Sequence, residues 1–178
     1  MTMDATPDSE RAEPDLVGAL LAAHARAKRV LDSAVRMLVK AETAGDAAAD
    51  VAASVHRFLT FVNPQHELDE EQMIFPALRA AGPAEEVNLA LAHMVEAHVV
   101  FDVQREALAV RWERVARDPG CLSVERAELL AMTEKLARAL HRHREHEDVA
   151  IFPLIRKYVP VETQARILAV LSRREARA

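Results

Sequence analysis

The hydrophobic residues of this chain recur at intervals of three and four, the spacing of one face of an α-helix. Four long stretches carry this pattern, and each is bounded by residues that favour helix ends. A shorter amphipathic stretch follows Pro160. The predicted helices span about residues 15–43, 47–75, 84–117, 123–152 and 161–174. The pattern therefore predicts four long helices and a short extra C-terminal helix.

Proline and glycine set several of the predicted boundaries. Asn63-Pro64 is expected to kink or restart the second helix, because proline has no amide proton to donate. Phe75-Pro76 and Phe152-Pro153 are the predicted ends of the second and fourth helices, and Gly82-Pro83 opens the third. Since short loops join the four long helices, the predicted fold is an all-α, up-down-up-down four-helix bundle.

Composition narrows the picture further. The chain has 178 residues, 51% hydrophobic, with only 4 glycines and 4% aromatic residues, which suits one helical domain. A net charge of -5 provides no basic surface, so no nucleic-acid partner is predicted. No apolar run reaches the roughly 20 residues of a membrane span, and the start lacks a secretory layout. We therefore expect a cytoplasmic protein without membrane association. Residues 1–14 are polar and are expected to form a disordered tail before the helical domain.

A near-repeat links the second and fourth helices. Its two copies are His66, Glu70 and Phe75-Pro76, and His143, Glu147 and Phe152-Pro153. Residues four apart lie on one helix face, one turn from each other, so each helix offers a nitrogen and an oxygen ligand together. One such pair alone is more simply a solvated helix pair. Two copies in the same frame favour a shared site.

The first and third helices each place one histidine, His24 and His98, within their apolar face. A buried histidine satisfied by a backbone group is the simpler interpretation of either one alone. In an alternating bundle, however, all four histidines must share a level to meet. His24, His66 and His143 each lie about 9 residues, or about 13 Å, from the predicted helix ends at one side of the bundle. His98 lies deeper by about 9 Å, a discrepancy that a later helix start would absorb.

Together these side chains would supply four neutral nitrogens and two carboxylates. Such a mixed set suits iron, manganese or zinc better than magnesium or calcium. Two cations fit better than one, because each could take two imidazoles, one oxygen from each carboxylate and a shared oxo or hydroxo group, which leaves a sixth position open. The cations would also offset the charge of two glutamates whose burial in a bundle core is otherwise costly. The predicted metal ligands are His24, His66, Glu70, His98, His143 and Glu147.

From residue 15 to about residue 158 the sequence resembles the hemerythrin HHE cation-binding family, whose signature is the order of those six residues. It is more similar to the branch with four histidines and two glutamates than to the oxygen carriers with five histidines and one aspartate. Met94 stands where the extra histidine of the carriers would fall, and Asp148 where their aspartate would fall. We prefer Glu147 as the ligand because the repeat aligns it with Glu70. Asp148 is then level with Glu71, and supporting or solvated roles suit both.

The resemblance implies a hemerythrin-like domain over residues 15–178 that holds two iron ions bridged by an oxo or hydroxo group. It leaves two classes of function open. In the first, the chain reacts with peroxide or nitric oxide in a stress response, with catalase-like or nitric-oxide-reacting activity. In the second, it binds or senses oxygen or nitric oxide, or stores and donates iron for the repair of iron centres, without turnover. The implied partners are oxygen, nitric oxide and hydrogen peroxide, and the chain is expected to be a monomer or homodimer.

Four further histidines are interpreted as surface or supporting residues: His56, His93, His141 and His146. Among them, His146 lies only about 60° around its helix from His143, where it could hydrogen-bond a ligand or shuttle protons. No catalytic residue is assigned from the sequence.

Overall fold

The computed structural model describes residues 15–40, 46–92 and 94–176, and every regular element within these ranges is a helix. The predicted all-α class is therefore confirmed. The predicted tail over residues 1–14, the predicted end of the first helix near residue 43, and His93 lie outside the described residues.

Four long helices and two short ones make up the described chain. Asp15 is the N-cap of the first helix, and its side chain accepts a hydrogen bond from the Gly18 amide. The helices are α1 (Leu16–Val39), α2 (residues 46–81), α3 (Ala84–Leu91), α4 (Met94–Arg117), α5 (residues 122–158) and α6 (Val161–Glu175). One turn of 3₁₀ helix, Pro119–Cys121, leads into α5.

Each long helix packs against two others: α1 against α2 and α5, and α4 against α2 and α5. This ring with short connections is the arrangement of a four-helix bundle, as predicted. The short helix α6 packs on α1, with Ile167 buried and Leu168 and Leu171 partly buried against the core. The C-terminal helix thus covers the bundle at one end.

Within the described ranges, three π turns interrupt the α-helical hydrogen bonding, and each ends two residues before a proline. Two lie in α2, at Phe58–Val62 and Glu70–Ile74, and one lies in α5, at Glu147–Ile151. In each, the residue before the proline donates its amide to the carbonyl five residues earlier. A proline in a helix lacks a donor and collides with the carbonyl four residues before it. The widened turn relieves this conflict without ending the helix.

The predicted helix ends at Phe75-Pro76 and Phe152-Pro153 are therefore wrong. After its second π turn α2 continues as Phe75–Ala81, and α5 continues after its π turn as Phe152–Tyr158. Likewise, the expected interruption at Asn63-Pro64 is a π turn within a continuous helix, since Val62 and Asn63 keep helical dihedral angles.

The predicted third helix is divided in two. Helix α3 ends at Leu91, where Ala92 adopts φ -56° and ψ 135°, and α4 begins at Met94. The depth assigned to His98 also has an explanation in the longer helices. His66 and His143 each lie fifteen residues before the last residue of α2 and α5, and His98 lies fourteen residues after the start of α3. With the later helix ends, His98 agrees with His66 and His143, and His24, eight residues after the start of α1, is the histidine that lies closer to its helix end.

The buried hydrophobic residues form two clusters with a polar layer between them. One cluster surrounds Trp112 and the other surrounds Phe75. On α1, His24 lies between Leu20 of one cluster and Ala27 of the other, and the other three long helices repeat this order. The chain thus places its buried histidines and glutamates between two apolar cores that keep water away from them.

Candidate metal centre

The six side chains singled out in the sequence lie together in the polar layer. His24 comes from α1, His66 and Glu70 from α2, His98 from α4, and His143 and Glu147 from α5. Both glutamates are almost fully buried, at 2% and 1% exposure. His24 and His98 are buried as well, whereas His66 and His143 are partly buried.

The first group of candidate ligands joins α1, α2 and α5. His24 Nε2 lies 3.2 Å from His66 Nε2 and 3.0 Å from Glu147 Oε2. His66 Nε2 lies 2.9 Å from Glu70 Oε1. One ligand atom from each of these four residues lies within 4.8 Å of the others, a spacing at which they could hold one cation.

The second group joins α4 and α5 to the same two glutamates. His98 Nε2 lies 3.0 Å from His143 Nε2 and 3.4 Å from Glu70 Oε2. His143 Nε2 lies 3.0 Å from Glu147 Oε1. Each glutamate thus turns one oxygen toward the first group and its other oxygen toward the second. This is the placement expected of two carboxylates shared by two cations.

The carboxylate oxygens give a direct test of fit to cations. Among the described residues, all four oxygens of Glu70 and Glu147 are buried without a well-directed hydrogen bond, and their polar neighbours are imidazole Nε2 atoms of the other candidate ligands. A buried anion without donors is costly, and cations offset that cost. Four imidazoles and two carboxylates suit a transition-metal pair, so the residues present fit such a centre.

The buried histidines and glutamates of the site shift one another's pKa values. Burial alone lowers the pKa of His98, but Glu70 and Glu71 outweigh it and raise that pKa to about 9. Burial raises the pKa of Glu70, yet His66 and His98 hold it well below its usual range. A cation that binds to His98 therefore replaces a proton held by that imidazole.

The repeated segments also fix the histidines of the other two helices. Glu71 Oε1 lies 2.6 Å from His98 Nδ1, and Asp148 Oδ1 lies 3.2 Å from His24 Nδ1. When Nδ1–H donates to a carboxylate, the Nε2 lone pair points at the site. The structure thus gives these two acidic residues a supporting contact, and it turns Glu147 rather than Asp148 toward the other candidate ligands.

The phenylalanine of each copy acts on the same histidine as its acidic neighbour. Phe75 stacks on His98 with ring centroids 6.3 Å apart, and Phe152 stacks on His24 at 5.4 Å. The π turns between each glutamate and its phenylalanine keep these rings in the continuing helix. Each copy of the near-repeat therefore provides one glutamate that faces the site, and an acidic residue and a phenylalanine that together orient an imidazole of a neighbouring helix.

Among the described residues, the three remaining histidines stay outside both groups. His146 is exposed, and its Nε2 lies 2.9 Å from the Ala90 carbonyl oxygen, so its contact is with α3 rather than with a candidate ligand. His141 is exposed beside Glu145, and His56 is partly buried on α2.

A buried polar network that the sequence analysis missed lies one turn from the site. Asn63 donates to Glu67 Oε1 at 2.6 Å and accepts from Arg144 at 2.9 Å. Arg105 donates to the other oxygen of Glu67 and to Asp102. Burial raises the pKa of Glu67 despite Arg105, and burial lowers the pKa of Arg144. A signal was present, since Glu67 and Arg144 occupy the same position of the near-repeat with opposite charges.

The comparisons with known proteins agree with this geometry. A family model described as the hemerythrin HHE cation-binding domain matches residues 15–155. Neither the curated proteins nor the solved structures provided a match. Within the described residues, no helix has the length and apolar character needed to span a membrane.

Proposed function

Because the chain belongs to the hemerythrin HHE cation-binding family, we propose that it is a non-haem di-iron protein that binds and reacts with small diatomic or peroxide ligands. The observation that carries the proposal is the sharing of Glu70 and Glu147 between two pairs of histidines. The proposed ligands are His24, His66, Glu70, His98, His143 and Glu147.

The surroundings of the site support a function in small-molecule chemistry. When bound, an iron pair supplies Lewis acidity and stores electrons. A groove of about 490 Å³ between α1 and α5 is lined by His24 and Asp148, so one side of the site is open to small molecules. The two apolar cores enclose the site from above and below. Oxygen, nitric oxide and hydrogen peroxide are the proposed ligands.

Metal analysis tests the proposal most directly. We expect about two ions per purified chain, mainly iron, because each of the two groups brings together a donor atom from four residues. The ultraviolet-visible spectrum should change on addition of peroxide or nitric oxide, with oxygen release or nitric oxide consumption faster than that of free iron. A chain without bound metal would reject the di-iron centre. Reversible spectral change without turnover would reject the reactive function and favour a binding or sensing one.

Removing the acidic partners of the histidines is expected to weaken metal binding without abolishing it. Glu71→Ala and Asp148→Ala each remove the carboxylate that faces an imidazole Nδ1, which typically costs 10–100-fold in metal affinity. Glu71→Ala should have the larger effect, because its contact is shorter. Competition with a chromophoric chelator measures the affinity, and Glu145→Ala, an exposed neighbour on α5, is the matched control. Equal affinity in all three variants would show that these contacts do not support the ligands.

A further inference from the structure

A second groove reaches the proposed metal centre from the side of α6. It has a volume of about 720 Å³, lies between α1, α2 and α6, and extends to His66. Volumes of this size are typical of sites for organic molecules and far exceed what a diatomic ligand needs. Helix α6 follows the residues that the family model matches, so this wall of the groove is an addition to the matched domain.

The walls of the groove are mainly apolar. They include Ala23 and Val30 of α1, Phe58 and Val62 of α2, and Leu168 and Leu171 of α6. At its rim, Phe61 and Val62 are 46% and 44% exposed. Apolar surface left open to water in this way is typical of a binding site, because a ligand that covers it releases ordered water.

The charged side chains around the groove indicate the charge of its ligand. Arg174 donates to Asp69, and Arg26 pairs with Glu175. Arg57 lies over the Phe61 ring, 5.4 Å from its centroid. The first two pairs tie α6 to α2 and to α1, and the third lies within α2, so these charges already serve the protein's own structure. A charged ligand would have to compete with them, whereas an uncharged apolar ligand would not.

We propose that the groove binds an uncharged, apolar organic molecule whose inner end lies against His66, so that the molecule is held beside the metal centre. The proposal rests on the proposed function for the role of His66 as a metal ligand. His66 is suited to this contact, because its side chain, at 17% exposure, is less buried than those of His24, His98 and His143. The α6 helix thereby gives the domain a substrate or effector class larger than a diatomic gas.

Calorimetry with 1-octanol and octanoate on the metal-loaded protein tests this inference. We expect saturable binding of one 1-octanol per chain, weaker binding of octanoate, and a change in the metal absorption spectrum on addition of 1-octanol. Absence of saturable binding in protein with full metal content would overturn the groove proposal and leave the proposed function intact. Tighter binding of octanoate would overturn the uncharged class, and an unchanged spectrum would overturn the contact with His66. Binding by a chain that holds no metal would reject the proposed function instead.

Two variants that fill the groove from opposite walls locate the binding. Ala23→Trp on α1 and Ser172→Trp on α6 each place an indole in the groove, and each should weaken 1-octanol binding by about tenfold or more. Ala22→Trp is the matched control, since Ala22 is exposed on the same turn of α1 and does not line the groove. Circular dichroism melting confirms that each variant is folded. Equal binding by all three folded variants would place the ligand elsewhere and overturn the proposal.

Discussion

Glu147→Ala is expected to reduce the metal content of the chain to less than about a tenth, whereas His143→Ala should leave one of the two positions largely intact. The difference follows from the geometry. Glu147 faces His24 through Oε2 and His143 through Oε1, both at 3.0 Å, so its removal takes a donor from both groups. His143 belongs to one group only. Glu70→Ala should behave like Glu147→Ala for the same reason.

The histidine variants extend this test to the assignment of ligands. His66→Ala and His143→Ala should each lower the metal content sharply, from about two ions toward one, because each removes a nitrogen from a different group. His56→Ala, on the same helix as His66, is the control and should keep both ions. Metal content is measured by elemental analysis on folded, desalted protein. Equal losses from all three variants, or one ion retained by Glu147→Ala, would contradict the shared-carboxylate arrangement.

The six side chains proposed as ligands from the sequence lie together in the structure, and the four on α2 and α5 could be singled out from helix periodicity. The four-residue spacing from His66 to Glu70, repeated from His143 to Glu147, survives any small error in helix boundaries. The positions of the helix ends, and with them the relative heights of the histidines in the bundle, were predicted less well. Proline ordinarily ends a helix, and the sequence does not show that a π turn before Pro76 or Pro153 lets the helix continue.

Other features could not be predicted because they depend on which neighbours fold against each other. The break at Ala92 has no glycine or proline to mark it, and the apolar pattern runs on from Leu91 to Met94. Charged residues such as Glu67 and Arg105 look like a solvated helix surface in the sequence. Only the packing of α2 against α4 shows that they are buried and paired. The role of Asp148 remained open for the same reason.

Arg105→Met is expected to lower the free energy of unfolding by about 3–5 kcal/mol, because it leaves the carboxylate of Glu67 buried without its cation. The two side chains are 5% and 8% exposed, so water cannot take the place of the guanidinium. Burial already raises the pKa of Glu67 even with Arg105 present, which shows how costly the carboxylate is in this position. Urea denaturation in the presence of a chelator measures the loss, since metal release then does not contribute.

The double variant Glu67→Gln/Arg105→Met distinguishes two causes of the lost stability: the unpaired charge of Glu67 and the lost packing of the Arg105 side chain. Glutamine is neutral and can still accept the hydrogen bond from Asn63, so the double variant should recover most of the stability lost by Arg105→Met. Arg117→Met, which breaks the exposed pair with Glu113, is the control and should cost less than about 1 kcal/mol. If the double variant were as unstable as Arg105→Met, the loss would come from the packing of the arginine side chain. Arg105 would then stabilise the fold by its packing and not by neutralising the buried charge of Glu67 one turn from the candidate metal centre.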